Sequence, residues 1–105
     1  MLDTIGVHRS VEAVFPPEEL RDRLADVGPT VAVVDSADGV DALVTFTYDD
    51  SFLDCGLQWI HSIQSGVDRF PFEALEEAGT TLTNSTGIHA DVVGETVVGY
   101  LLSFA

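Results

Sequence analysis

Thr30-Val31-Ala32-Val33-Val34 is a nearly unbroken apolar, β-branched run with no polar alternation. A strand of this kind is covered on both faces, which is the habit of parallel sheets. Upstream, Pro16-Pro17-Glu18-Glu19-Leu20 opens a helix, with proline in the first turn and acids where the helix dipole is positive. Leu20, Leu24 and Val27 form its apolar stripe, and Gly28-Pro29 stop it. Further upstream, Thr4-Ile5-Gly6-Val7-His8 is a first strand. Downstream, a short helix is expected over residues 36–40, then strands over 42–46 and 59–63. A brief helix over 72–78 ends at Gly79, and Thr80-Thr81-Leu82-Thr83 is the fifth strand. Strands alternating with helical segments predict an α/β fold. The expectation is a flavodoxin-like five-stranded parallel sheet with flanking helices, without internal repeat or linker.

Residues 89–105 read as one further helix carrying Val92, Val93, Val97, Val98, Tyr100, Leu101, Leu102 and Phe104. At about 100° per residue these positions cover most of the circumference, more than one sheet face can bury. Gly94 and Gly99 each cost up to about 1 kcal/mol relative to alanine, which close approach of another backbone would explain. The expected division is a domain over 1–88 and an interdomain or dimerisation helix over 89–105. The alternative is a terminal helix packed on its own sheet.

The chain has 105 residues, 46% of them hydrophobic, enough for one core and too few for two domains. Its net charge is −14, and the only basic residues besides histidine are Arg9, Arg21, Arg23 and Arg69. Such a surface repels phosphate backbones and anionic membranes, so neither is an expected partner. The single Cys55 supports neither an internal disulfide nor a multi-cysteine metal site. Without a signal peptide or a long apolar run, the expected location is the cytoplasm.

The stretch most suggestive of chemistry is Trp59-Ile60-His61-Ser62-Ile63-Gln64-Ser65-Gly66-Val67-Asp68. A strand there runs into a small-residue turn at the carboxyl end of the sheet, where α/β folds bind ligands. Glycine lets a ligand approach the backbone, and free amides of such a turn seat an anion. Read alone, the stretch also fits an ordinary strand-to-helix turn capped by Ser65 or Asp68.

Beyond the turn come Gly79-Thr80-Thr81-Leu82-Thr83-Asn84, Thr86-Gly87-Ile88-His89-Ala90 and Val92-Val93-Gly94-Glu95. In this order and spacing the chain resembles the N-terminal half of the substrate domain of D-isomer-specific 2-hydroxyacid dehydrogenases. The resemblance is strong over residues 57–105 and rests mainly on strand order over 1–56. Gly94 departs from it, since many relatives carry alanine before the glutamate.

The resemblance implies an oxidoreductase that interconverts 2-keto acids and D-2-hydroxy acids by hydride transfer with NAD or NADP, usually as a homodimer. It implies that this chain stops before an inserted Rossmann cofactor domain and is inactive alone. The amides of Gly66 and Val67 would hold the substrate carboxylate beside Ser65. Tyr48 would cover the substrate, His89 would face the cleft, and Val93 would touch the nicotinamide half of the cofactor.

No G-x-G-x-x-G occurs in the chain, so the pyrophosphate-binding turn is missing. The family's catalytic arginine, glutamate and histidine are expected beyond Ala105, and Arg69, Glu95, His61 and His89 do not replace them. His61 lies inside a strand and reads as a packed core histidine, Arg69 as a surface charge, and Glu95 as a structural hydrogen-bonding residue. His8 has no assigned role.

A phosphoacceptor receiver resembles this fold but needs acids after the first strand, an aspartate ending the third, and a lysine after the fifth. Here His8-Arg9 and Phe46-Thr47 stand at the first two places, and the chain has no lysine. Arg9-Ser10-Val11-Glu12 makes a poor flavin phosphate loop. The remaining rival is a non-catalytic domain that self-associates through its last helix.

The 18 acids are scattered from Asp3 to Glu95, never more than two in a row, which suits a solvated anionic skin adapted to high salt. At about 1 M salt the Debye length is about 3 Å, and self-repulsion is screened. The melting temperature should therefore rise steeply from dilute buffer to molar KCl. A flat thermal-melt series would count against a salt-adapted surface.

Overall fold

A computed structural model of the chain describes residues 2–63, 70–85 and 89–103. Five strands, β1 (Thr4–His8), β2 (Thr30–Val34), β3 (Ala42–Thr45), β4 (Trp59–Ser62) and β5 (Thr81–Asn84), form one sheet. Every neighbouring pair is parallel and the spatial order is β2-β1-β3-β4-β5. That order is the flavodoxin-like one. Three helices flank the sheet: α1 (Pro17–Arg23), α2 (Phe72–Glu77) and α3 (Ala90–Ser103). None of the described helices is long and apolar enough to cross a membrane.

The two-residue period of a strand divides the apolar residues between two cores. Ile5, Val7, Ala42, Val44 and Trp59 face α1 and α3, where they meet Leu20, Leu24, Val93 and Val97. Leu43 and Ile60 point the other way, toward Phe52, Leu57, Phe70 and Leu75. Helix α1 packs beside α3, and α2 lies against β5. The connection from β1 thus crosses one face, and those from β3 and β4 cross the other.

Several boundaries differ from the sequence reading, each for a local reason. Residues 36–40 form a turn, not a helix: Gly39 adopts φ +80°, which breaks helical geometry. Ala37 and Val40 are nevertheless buried in the second core. Helix α1 ends at Arg23; a tighter turn from Leu24 to Val27 and Gly28 at φ +116° follow. Strand β3 ends at Thr45 because the Phe46 N–H donates to Ser10 Oγ at 3.0 Å. Strand β5 begins at Thr81, since the Thr80 N–H donates back to the Leu75 carbonyl. Two 3₁₀ helices, Arg9–Ala13 and Asp50–Asp54, were not expected from periodicity.

Helix α3 contributes Ala90, Val93 and Val97 to the first core, with Val98, Tyr100 and Leu101 half-buried. Val92 and Leu102 remain exposed, at 48% and 73%. Within the chain no backbone closes on its glycines. A Cβ on Gly94 would meet Arg23 Cβ and Leu20 Cδ1 at ordinary contact distances of 3.6 and 3.8 Å, and one on Gly99 would meet nothing within 4 Å.

Gly6 is the opposite case. A Cβ there would lie 2.8 Å from Val34 Cγ2, 3.2 Å from Leu43 Cδ1 and 3.3 Å from Val40 Cγ1. Gly6→Ala should destabilise the fold by about 1–3 kcal/mol through overpacking. Gly99→Ala should stabilise it by about 0.5–1 kcal/mol through helix propensity. Urea unfolding of both variants checks the pair of signs.

Candidate functional site

The carboxyl ends of parallel strands gather the polar residues that terminate buried runs. In a doubly wound sheet the crevice opens where neighbouring strands send their connections to opposite faces, here between β1 and β3. His8 ends β1 and Thr45 ends β3. Ser10 Oγ lies between them, 2.8 Å from His8 Nδ1 and 3.2 Å from Thr45 Oγ1. It also accepts the Phe46 and Thr47 amides at 3.0 and 3.3 Å. Thr45 Oγ1 donates to the Thr47 carbonyl at 2.7 Å.

Tyr48 follows directly. Its ring packs edge-on against Phe52 and Phe70, with centroids 5.7 and 5.2 Å away. Tyr48 Oη is buried and has no hydrogen-bond partner among the described residues. Burial, followed by the neighbouring carboxylates of Asp50, Asp49 and Asp54, pushes its pKa up to about 12. Asp50 is the carboxylate that acts most on the phenol, but among the described residues no acceptor, Asp50 included, is in hydrogen-bond geometry with Oη. The hydroxyl therefore stays protonated, a donor in want of an acceptor.

Ser65, Gly66 and Val67 lie outside the described residues, as does Arg69. Strand β4 leads toward them, and the Ile63 N–H still donates to the Thr45 carbonyl at 3.0 Å. Phe70, the first described residue after that segment, is the one that touches Tyr48. His89 is exposed just before α3, and its carbonyl accepts the Val93 N–H at 3.3 Å. Tyr48 packs on the second core, whereas His89 opens α3, which packs on the first.

Val93 is fully buried in the core between α3 and the sheet, so in this arrangement its side chain offers no surface to a nicotinamide. Glu95 is exposed and makes no hydrogen bond or ion pair among the described residues. Cys55 Sγ faces the Ser51 carbonyl at 3.0 Å and an Asp38 carboxylate oxygen at 3.3 Å. Burial and then Asp38 push that thiol's pKa up, the reverse of an activated nucleophile. Among the described residues no group of three or more His, Cys, Asp or Glu is placed to hold a metal ion.

A second polar chain lies across β4 and β5. His61, fully buried as expected of a core histidine, pairs in register with Thr83. Its Nδ1 is 2.7 Å from Thr83 Oγ1 and its Nε2 is 2.8 Å from Ser85 Oγ. The Trp59 indole N–H donates to the same Thr83 oxygen at 2.7 Å. All four groups are satisfied when Thr83 donates to Nδ1 and Nε2–H donates to Ser85. The His61 ring also packs against Trp59 and Tyr100. Neither this chain nor the bonds converging on Ser10 was foreseen. Parallel register, once known, is the signal that places Thr83 opposite His61.

Burial lowers the pKa of His61 to about 4 from the ordinary 6.5. The folded state then resists a proton that the unfolded chain accepts, so stability present above the unfolded value is lost as pH falls toward the folded one. Between about pH 7 and about pH 5 this group alone should cost about 2 kcal/mol. Urea melts at both values should show a smaller loss for His61→Gln than for the native chain. Equal losses would show that His61 does not carry the effect. No protein-family model matches the chain, so the chemistry has to be argued from these residues.

Proposed function

We propose that this chain is the substrate-binding portion of an oxidoreductase of the D-2-hydroxyacid dehydrogenase type. Its ligand would be a small 2-keto or 2-hydroxy acid. The amides of Gly66 and Val67, beside Ser65, would hold the carboxylate, and Tyr48 would close over the substrate and donate its phenolic proton to a substrate oxygen. His89 would border the same cleft. The observation that carries the reading is Tyr48 itself: a buried, protonated hydroxyl without a partner among the described residues, packed on Phe70 just before α2.

The described residues do not fit a nicotinamide dinucleotide. Val93 is buried, and the turn after β1 reads His8-Arg9-Ser10-Val11, without the glycines that admit a pyrophosphate. NAD or NADP would therefore be held by a separate lobe, and this chain's part is limited to binding and orienting the acid. A salt-adapted cytoplasmic protein that works as a homodimer belongs to the same proposal. A second reading, a non-catalytic domain that pairs through α3, is favoured by the exposed Val92 and Leu102.

Titrating pyruvate into the isotopically labelled chain should produce saturable shifts of the Gly66 and Val67 amides and the Tyr48 ring. The chain alone should not oxidise NADH with pyruvate. Absence of those shifts, or shifts spread evenly over the surface, would overturn the substrate reading. A dimer that shows no such shifts would support the second one.

A further inference from the structure

The turn after β1 holds a histidine whose protonation state the surrounding donors define. The Ser10 backbone N–H donates to His8 Nδ1 at 3.1 Å, capping the 3₁₀ helix Arg9–Ala13. An amide only donates, so Nδ1 presents its lone pair and the neutral ring carries its proton on Nε2. Ser10 Oγ, 2.8 Å from the same nitrogen, accepts the Phe46 amide at 3.0 Å and shares the Thr47 amide with Thr45 Oγ1, each at 3.3 Å. Thr45 has committed its proton to the Thr47 carbonyl. The Ser10 N–H is satisfied only while Nδ1 is an acceptor.

A second proton on the ring goes to Nδ1. It then opposes the Ser10 N–H that seats this serine at the start of the 3₁₀ helix, displacing the Oγ that holds the Phe46 amide, while the Thr47 amide keeps Thr45 Oγ1 as an acceptor. The Phe46 amide holds the backbone that leads into Tyr48. We infer that His8 and Ser10 form a pH-sensitive clamp that positions the Tyr48 loop and releases it when the imidazole becomes charged. Its consequence for substrate rests on the proposed role of Tyr48; the clamp itself does not.

Every element around His8 bears on its charge. Asp35, after β2, and Asp49, after Tyr48, favour the protonated ring, while burial disfavours it and prevails. Arg9 is the nearest cation and is committed to Asp35 at 2.6 Å. From the 3₁₀ helix Asp50–Asp54 the ring meets only the edge of Phe52, with centroids 5.7 Å apart.

The test is amide hydrogen exchange of the full chain against pH, without ligand, so that its outcome is independent of substrate binding. As pH falls through the His8 titration, protection of the Phe46 amide, whose acceptor is Ser10 Oγ, should drop by about tenfold relative to the amides of Leu43 and Ile60, the loss expected for one hydrogen bond. His8→Asn, which offers an acceptor oxygen near the Nδ1 position without titrating, should keep that ratio constant. Ser10→Ala should lose the protection at every pH. A Phe46 amide that follows the core amides throughout, or a His8→Asn variant with the native pH dependence, would overturn the clamp. Nitrogen shifts of the native ring give a check that needs no variant: a proton on Nδ1 in the neutral form would also overturn it.

Discussion

The position of β1 between β2 and β3 is the constraint on which the rest of the molecule depends. Both its edges are occupied by parallel partners, Val31 and Ala42 flanking Ile5. Right-handed crossovers from a strand in that position and from β3 must leave toward opposite faces. The carboxyl ends of β1 and β3 therefore open a crevice that neither connection covers. Gly6 lets Val34, Val40 and Leu43 close on the strand from one side, and Ile5 and Val7 fill the other. A side chain at Gly6 would push β2 or the 36–40 turn outward and widen the crevice that begins two residues later at His8.

Strands covered on both faces carry a second consequence at their ends. Thr45, His61 and Ser62 are fully buried although polar. A buried donor or acceptor left unpaired costs about 1–3 kcal/mol, so these residues have to find partners on neighbouring strands. Thr45 does so around Ser10 between β1 and β3, and His61 along Trp59, Thr83 and Ser85 between β4 and β5. Each group leaves the sheet at its carboxyl edge, one toward Tyr48 and the other toward the approach to α3. Against this background Tyr48 Oη stands out as a buried side-chain polar atom without a hydrogen-bond partner among the described residues.

How much of this was legible depends on range. The five strands, α2 and the start of α1 follow from patterns that repeat within a few residues, and the structure has them in the expected chain order. The 36–40 turn was misread because its apolar residues, Ala37 and Val40, satisfy helical and turn burial equally, and the φ of Gly39 decides between them. The early end of β3 could not be read locally, because the group that captures the Phe46 amide is a serine 36 residues away. The same holds for His61: burial was inferable from its place inside a strand, but its partners Thr83 and Ser85 lie more than twenty residues downstream. Val93 shows the reverse limit. A residue's place in a resemblance says nothing about which way the helix turns it, and α3 turns Val93 inward and Val92 outward.

The strong negative charge constrains how an acid ligand would be held on the proposed reading. All three described arginines are ion-paired, Arg9 with Asp35, Arg21 with Asp22 and Arg23 with Asp91. Exposed pairs of this kind add little stability, but they engage the cations nearest to the acids. On that reading the donors offered to an anion, Arg69 apart, are uncharged: main-chain amides and the Tyr48 hydroxyl. Such donors act at contact distance, whereas the repulsion from scattered surface acids acts over the Debye length. Salt shortens the repulsion and leaves the contact donors intact. A carboxylate site built from dipoles is thus compatible with a net charge of −14 where the ionic strength is high, and would be handicapped where it is low.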